Sequence, residues 1–206
     1  MKIIFGTKNP AKLKQLQSTL APLNVVVAGL PEGNWPEIAE IGKTALENAK
    51  NKAKNYAKLL HLPVISMDNA LYFDQLAAEQ QPGLQVRRLP HQETRATDQE
   101  LIAYYSQIIA SLGKEASGYW EYALSACHPD GQEYNLVFRS PRRFSATPCL
   151  AIMEGYPLES LQLEKDTGKY IAEMTEIEKE QFWQKNIGQE VQGFIKSLPN
   201  SFFLNN

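Results

Sequence analysis

Short apolar runs of strand length alternate with longer amphipathic runs of helix length through the first third of the chain, and that order restricts the fold more than any other feature. Ile3-Ile4-Phe5 reads as a buried strand, followed at once by the polar turn Gly6-Thr7-Lys8. Asn9-Pro10 then reads as the start of a helix, because Asn is a favoured N-cap and the fixed φ of Pro suits the first helical position. Leu13, Leu16 and Leu20 recur at helical spacing and mark its buried stripe. Val25-Val26-Val27 is a second β-branched strand, and the stretch from Pro31 to Gly42 is a loop punctuated by Gly33 and Pro36. Thr44 with Glu47 three residues later has the spacing of a capping box, so a second helix starts there with Leu46, Ala49, Ala53, Ala57 and Leu60 inward. The segment from Leu62 to Asp68 is a buried strand expected to end on its carboxylate. Parallel neighbours need a long crossover, and a helix between each pair of strands supplies it, so the pattern predicts an α/β sheet with parallel members.

The rest of the chain adds a helix from Ala96 to Gly113, with Leu101, Tyr105, Ile108, Ile109 and Leu112 on its buried side. Tyr119–Cys127 and Glu133–Phe138 flank His128-Pro129-Asp130-Gly131-Gln132, a hairpin signal that extends the sheet or makes a small lobe. Two more helices are expected near Glu176–Lys185 and Gln189–Leu198. The predicted fold class is therefore α/β: a mixed, twisted central β-sheet flanked by helices, with a β-hairpin extension or small lobe, in one domain over residues 1–206. A chain of 206 residues with 43% hydrophobic content can bury such a core. Its formal charge of −2 gives no electrostatic footprint for a nucleic acid polymer. Two cysteines, Cys127 and Cys149, are too few for a disulfide framework and read as reduced thiols. The first apolar run stops at Phe5, unlike a signal peptide, and no run reaches membrane-spanning length, so a soluble cytoplasmic protein is expected.

In open α/β sheets ligands gather at the carboxyl ends of strands. Thr7-Lys8-Asn9 and Asp68-Asn69 both fall at such ends. Lys8 and Lys12 sit around a helix N-terminus whose dipole already makes that end positive, an arrangement that favours a bound anion such as phosphate. Glu40 is a second carboxylate in the loop before the second helix, and Mg2+ needs only one or two carboxylates when substrate phosphates complete its shell. Plainer readings stand beside these: solvated surface lysines, Asp68 as a turn cap, and Glu47 as a helix cap only. His61, His91 and His128 lack metal-ligand spacing, and no serine lies in a nucleophile-elbow motif.

Taken together, the motifs resemble the inosine triphosphate pyrophosphatase family, which removes non-standard purine nucleoside triphosphates from nucleotide pools. The family's T-G-N-x-x-K turn corresponds to Thr7-Lys8-Asn9-Pro10-Ala11-Lys12, and its E-T-G-x-T-F-x-E-N-A-x-x-K-A run to Glu40 through Ala53. Its L-P-x-x-x-D-D-S-G-L strand matches Leu62 through Leu71, with further matches at Pro82-Gly83, Ala96-Thr97-Asp98 and Ala172 through Lys179. The resemblance implies that Thr7, Lys8, Asn9 and Lys12 hold a triphosphate, that Lys52 and Lys179 neutralise its oxygens, and that Asn69 lies beside them. It implies that Glu40 and Asp68 bind Mg2+, that Asp68 activates water with Lys12 and Lys52 assisting, and that the protein is a homodimer. The products would be a nucleoside monophosphate and pyrophosphate. The chain departs from the family at Lys8, which replaces a glycine, at Met67, which replaces the first Asp, and at Asn69-Ala70, which replace Ser-Gly. On the base side, F-G-Y-D-P becomes Glu154-Gly155-Tyr156-Pro157 and S-H-R becomes Trp183-Gln184-Lys185. Gly155, Tyr156, Gln184 and Lys185 are the base-side candidates that remain. The contrasting reading is a nucleotide-binding protein on the same fold without efficient turnover.

Overall fold

In the computed structural model, which describes residues 1–90 and 94–204, the strand β1 (Lys2–Phe5) organises the first half of the chain. It runs parallel to β2 (Val26–Ala28), with Lys2 opposite Val26 and Ile4 opposite Ala28. On its other side it runs parallel to β3 (Val64–Phe73), with Ile4 opposite Val64 and Phe5 opposite Ile65. The crossovers carry α1 (Pro10–Leu20) and α2 (Ala45–Leu60). The hairpin strands β4 (Glu115–Cys127) and β5 (Glu133–Ser145) extend the same sheet, and β6 (Gln162–Leu163) pairs antiparallel with β5. Among the described residues the strand order is β2-β1-β3-β4-β5-β6, a mixed sheet flanked by helices as the sequence predicts.

The third strand departs from expectation. It does not end at Asp68 but continues to Phe73, because Ala70, Leu71 and Phe73 are buried in turn and keep the strand in apolar surroundings. What ends near Asp68 is the pairing with β1, whose last partner is Ile65. The Gly6 N–H donates to the Ile65 carbonyl at 2.7 Å, and Ser66 Oγ donates to the Gly6 carbonyl at 3.1 Å. A Cβ at Gly6 would lie 2.6 Å from Ser66 Oγ, 2.8 Å from Tyr56 Cδ2 and 2.9 Å from Val64 Cγ1, so only glycine lets the chain turn away here. The buried face of α2 keeps the alanines at 49, 53 and 57 and adds Asn48 and Tyr56, while Leu46 and Leu60 are half-buried.

The described residues group into two compact units. One comprises Met1–Asn69, Tyr122–Phe138 and the chain from Trp183 onward, and its core includes Ile4, Ala53, Tyr56, Ala57, Val64 and Cys127. The other comprises Ala70–Glu121 and Arg139–Phe182. Its core sets Phe73 and Phe144 4.9 Å apart between ring centroids and packs Leu101, Tyr105 and Ile109 of α3 (Asp98–Leu112) with Leu158 and Leu161. The N-terminus of α3 carries a complete capping box between Thr97 and Glu100. After α4 (Glu176–Trp183) the helix loosens into a π-helical turn, Gln184–Gly188, before α5 (Gln189–Ser197). No helix among the described residues is long and apolar enough to cross a membrane.

Glu159, in the 3-10 turn Pro157–Ser160, is buried with neither carboxylate oxygen hydrogen-bonded. Burial pushes its pKa up to about 8, against the opposing pull of Lys179 and Arg142. The folded chain therefore binds a proton that the unfolded chain has released between the ordinary glutamate value and about 8. The associated stability is complete below that ordinary value and is lost as pH rises through about 8. Thermal denaturation across this range should show Glu159→Gln gaining on the wild type as pH rises. A melting-temperature difference that is constant from pH 5 to about pH 9 would refute a neutral Glu159.

Candidate functional site

The turn after β1 is held by its own side chains. Asn9, in extended backbone at the N-cap of α1, accepts from the Ala11 and Lys12 amides at 2.9 and 3.4 Å. Thr7 Oγ1 accepts from the Asn9 amide at 3.1 Å. These backbone amides are thus satisfied within the chain, so the groups left for an anion at this helix end are side-chain ones: the Thr7 hydroxyl, Asn9 Nδ2 and the lysines. Lys8 is exposed and Lys12 half-buried.

One turn of helix separates Asn48 from Lys52, which places both on the same face of α2. Both reach Asp68 of β3. Lys52 Nζ lies 3.2 Å from Asp68 Oδ1, 2.9 Å from Glu40 Oε1 and 3.3 Å from the Met67 carbonyl. Asn48 Nδ2 donates to Asp68 Oδ2 at 3.0 Å, and its own Oδ1 accepts from the Gly42 amide at 2.8 Å. Lys12 Nζ stands 3.7 Å from Asp68 Oδ1. Both carboxylate oxygens of a residue that is only 6% exposed are therefore partnered, one by cations and one by an amide. Burial disfavours the Lys52 ammonium, but Asp68 and Glu40 together outweigh that penalty and raise its pKa above the ordinary lysine value. Burial lowers Lys12, with Asp68 opposing and Lys52 adding repulsion.

The strand and helix residues expected at the phosphate and carboxylate site thus come together in one unit: Lys12, Glu40, Lys52 and Asp68, with Thr7, Lys8, Asn9 and Asn69 on the same two chain segments. Asn69 is half-buried, and its Oδ1 is shielded from solvent with no hydrogen-bond partner. Asn48 does not stand out in the sequence; its place in the E-N-A run is the available signal. Glu47 acts as a cap: its amide donates to Thr44 Oγ1 at 3.1 Å, while its carboxylate accepts from the Lys43 amide at 2.6 Å rather than from the N-cap amide. Met67 is buried and apolar where the resemblance leads to an acid.

The base-side candidates behave differently. Gly155 takes a φ of +82° in a turn closed by the Tyr156 amide donating to the Met153 carbonyl at 2.9 Å. Arg87 Nη1 reaches the Gly155 carbonyl at 3.5 Å, and its Nη2 pairs with Asp98. Lys179 pairs with Glu176 at 3.6 Å. These residues belong to the second unit. Gln184, expected on the base side, is engaged within the chain. Its amide nitrogen donates to the carbonyls of Ser18 and Thr19, and its oxygen accepts from Gln192 at 2.7 Å. The reason is that α1 ends at Leu20 with carbonyls that need donors, and the π-helical turn supplies them. Trp183 is buried, and Lys185 is exposed.

Among the described residues no three His, Cys, Asp or Glu side chains converge as a metal cage. His91 lies outside the described residues. Glu40 and Asp68 provide two hard oxygen donors flanking one ammonium group, a donor set that suits Mg2+ carrying its own waters and phosphate ligands.

Residues 3–187 match the Ham1 family. A dITP/XTP pyrophosphatase of Thermus thermophilus is 34% identical over 132 residues, covering 64% of this chain and 61% of the Thermus protein's length. A dITP/XTP pyrophosphatase of Symbiobacterium thermophilum is 25% identical over 179 residues, covering 81% of this chain and 87% of that protein. A HAM1 protein from Coxiella burnetii has the same fold, with a TM-score of 0.70 and 22% identity over 96% of this chain and all of the other.

Truncating Asn48 tests the support of Asp68. Asn48→Ala removes the donor to Asp68 Oδ2 and the acceptor for the Gly42 amide. Unpartnered buried groups of this kind cost about 1–3 kcal/mol, read as a lower midpoint in urea denaturation. An unchanged midpoint would show that neither bond contributes.

Proposed function

The chain belongs to the Ham1 family, and from that premise we propose that it is a nucleoside triphosphate pyrophosphatase, releasing nucleoside monophosphate and pyrophosphate. The observation that carries this reading is the cluster of Lys12, Lys52, Glu40 and Asp68, in the same unit as the Thr7–Lys12 turn. The curated relatives' names, dITP/XTP pyrophosphatase, support the reaction class. We take residues 1–206 to act as one domain, and the protein to be a cytoplasmic homodimer as the family resemblance implies. The free thiols Cys127 and Cys149 suit a reducing compartment.

In this mechanism Glu40 and Asp68 would hold Mg2+, which supplies charge neutralisation and polarises a phosphoryl oxygen. The Thr7 hydroxyl, Asn9, Lys8 and Lys12 bind the phosphate chain and orient the α-phosphorus. Asp68 accepts the proton of the attacking water as its oxygen bonds to that phosphorus. The bond from the α-phosphorus to its bridging oxygen breaks, and the electron pair leaves on pyrophosphate. Lys52 offsets the charge on that leaving group, so positioning and electrostatics supply most of the rate.

Base selection is proposed to be relaxed relative to the family pattern. Gln184 is engaged by the end of α1, Trp183 is buried, and Lys185 stands where the family pattern has Arg. Lysine offers a point charge in place of the planar fork of Arg, which weakens discrimination between keto and amino edges.

A panel of nucleoside triphosphates with Mg2+, scored for pyrophosphate release, tests the function. Activity is expected on inosine triphosphate with less than about a hundredfold preference over adenosine and guanosine triphosphates. Asp68→Asn should lower kcat by about 10²- to 10⁴-fold, the usual contribution of a general base, in a protein that still folds. A wild type inert on the whole panel would favour the binding-protein reading, for which buried Met67 is the relevant feature.

Magnesium titration separates the two neighbouring glutamates. Glu40→Gln should raise the Mg2+ concentration for half-maximal activity, whereas Glu47→Gln should leave it unchanged, since Gln also serves at this cap position. The reverse pattern would exchange their roles.

A further inference from the structure

The point between Glu40 and Asp68 is held by a side chain of this protein. Lys52 Nζ lies 2.9 Å from one carboxylate and 3.2 Å from the other, and a third bond at 3.3 Å to the Met67 carbonyl completes its three donors. A cation seated between those carboxylates would meet this ammonium at close range. The local charges balance as they stand: Glu40 and Asp68 against Lys12 and Lys52. A free dication therefore finds no net negative charge to attract it. Met67 is central to that balance, because the resemblance leads to an acid there and the chain has a buried apolar side chain instead.

The arrangement is nevertheless releasable. The Glu40 side chain is 54% exposed, so its bridge to Lys52 is screened by solvent and weak. Asp68 is sealed, but departure of Lys52 would leave it Lys12 at 3.7 Å and the Asn48 amide at 3.0 Å. The buried carboxylate would not be stranded. A triphosphate carries more negative charge than one divalent ion carries positive, so the pair brings a net anion for which a lysine of this neutral cluster can exchange its carboxylate partners.

We propose that Lys52 is a resident counter-cation that excludes divalent metal from the free protein and transfers to the phosphates on nucleotide arrival, so that metal and triphosphate load together. This rests on the reading of Glu40 and Asp68 as the metal-holding pair.

Binding of Mn2+, a spectroscopic stand-in for Mg2+, tests it without turnover. Protein-bound Mn2+ is measured by equilibrium dialysis and electron paramagnetic resonance for the wild type and for Lys52→Met. Each protein is measured alone and with a triphosphate analogue whose α,β bridge is methylene. Lys52→Gln repeats the measurement with a polar side chain, and far-ultraviolet circular dichroism verifies that the variants are folded. The wild type alone should bind Mn2+ at least tenfold more weakly than either variant alone, and should retain one Mn2+ when the analogue is present. Equal affinity of wild type and variants in the absence of nucleotide overturns the exclusion by Lys52, and leaves the metal reading standing if the analogue arm binds. Absence of protein-bound Mn2+ in every arm, the analogue included, overturns the metal reading itself. Should both variants fail to fold, the wild type decides by its own two arms: tight Mn2+ uptake without nucleotide refutes the proposal, and uptake only with the analogue upholds joint loading.

Discussion

An ionised carboxylate inside a β-strand must be matched by partners, because withdrawing it from water is expensive and only charge and hydrogen bonds nearby can offset the cost. Asp68 sits in that position, and much of the surrounding architecture answers to it. The 16-residue helix α2 is placed so that Asn48 and Lys52 both reach the carboxylate, and its alanines allow close packing against the core that includes Val64. The Gly42 turn is tied to the same point through the Asn48 amide, and Glu40 through Lys52. Lys12 approaches from the first turn of α1. The loop before α2 has little regular structure of its own, and these polar bonds hold its end in place.

The second dependency is geometric. β1 is four residues long and β3 is ten, so β3 runs on after its partner has turned away at Gly6. That mismatch puts the Thr7–Asn9 turn just after the last β1 residue paired with β3, as at the carboxyl end of any parallel pair, although β3 itself has not ended. A longer β1 would have continued its hydrogen bonds along β3. The tight space around Gly6 marks where this is prevented.

Local signals made much of this readable in the sequence. Asn9-Pro10 carries its helix start in two residues, and Thr44 caps α2 from the position its spacing with Glu47 predicts. The identities of Asp68, Glu40, Lys12 and Lys52 as neighbours came through the ordered motifs. What escaped detection depended on tertiary partners. The extent of β3 was set by burial of residues after Asp68, which a polar Asp68-Asn69 pair disguises as a strand end. Asn48 lies among alanines and lysines with no feature of its own, and acquires a role only because Asp68 and Gly42 are brought to it. Gln184 looked available for a ligand because nothing nearby in sequence reveals that the end of α1, some 165 residues earlier, needs its donor.

The π-helical turn at Gln184–Gly188 also sets the rotational phase of α5. Such a turn behaves as one residue inserted into an α-helix, and one residue corresponds to about 100° of rotation. With it, Val191, Phe194 and Ile195 of α5 face the protein interior. A lineage that lost a single residue here would turn that apolar stripe by about a quarter of a revolution and bring polar neighbours such as Gln189 and Glu190 toward the core. The wider turn thus acts as an indexing step between two helical segments, and it makes the chain's length between Trp183 and Gln189 as constrained as its chemistry.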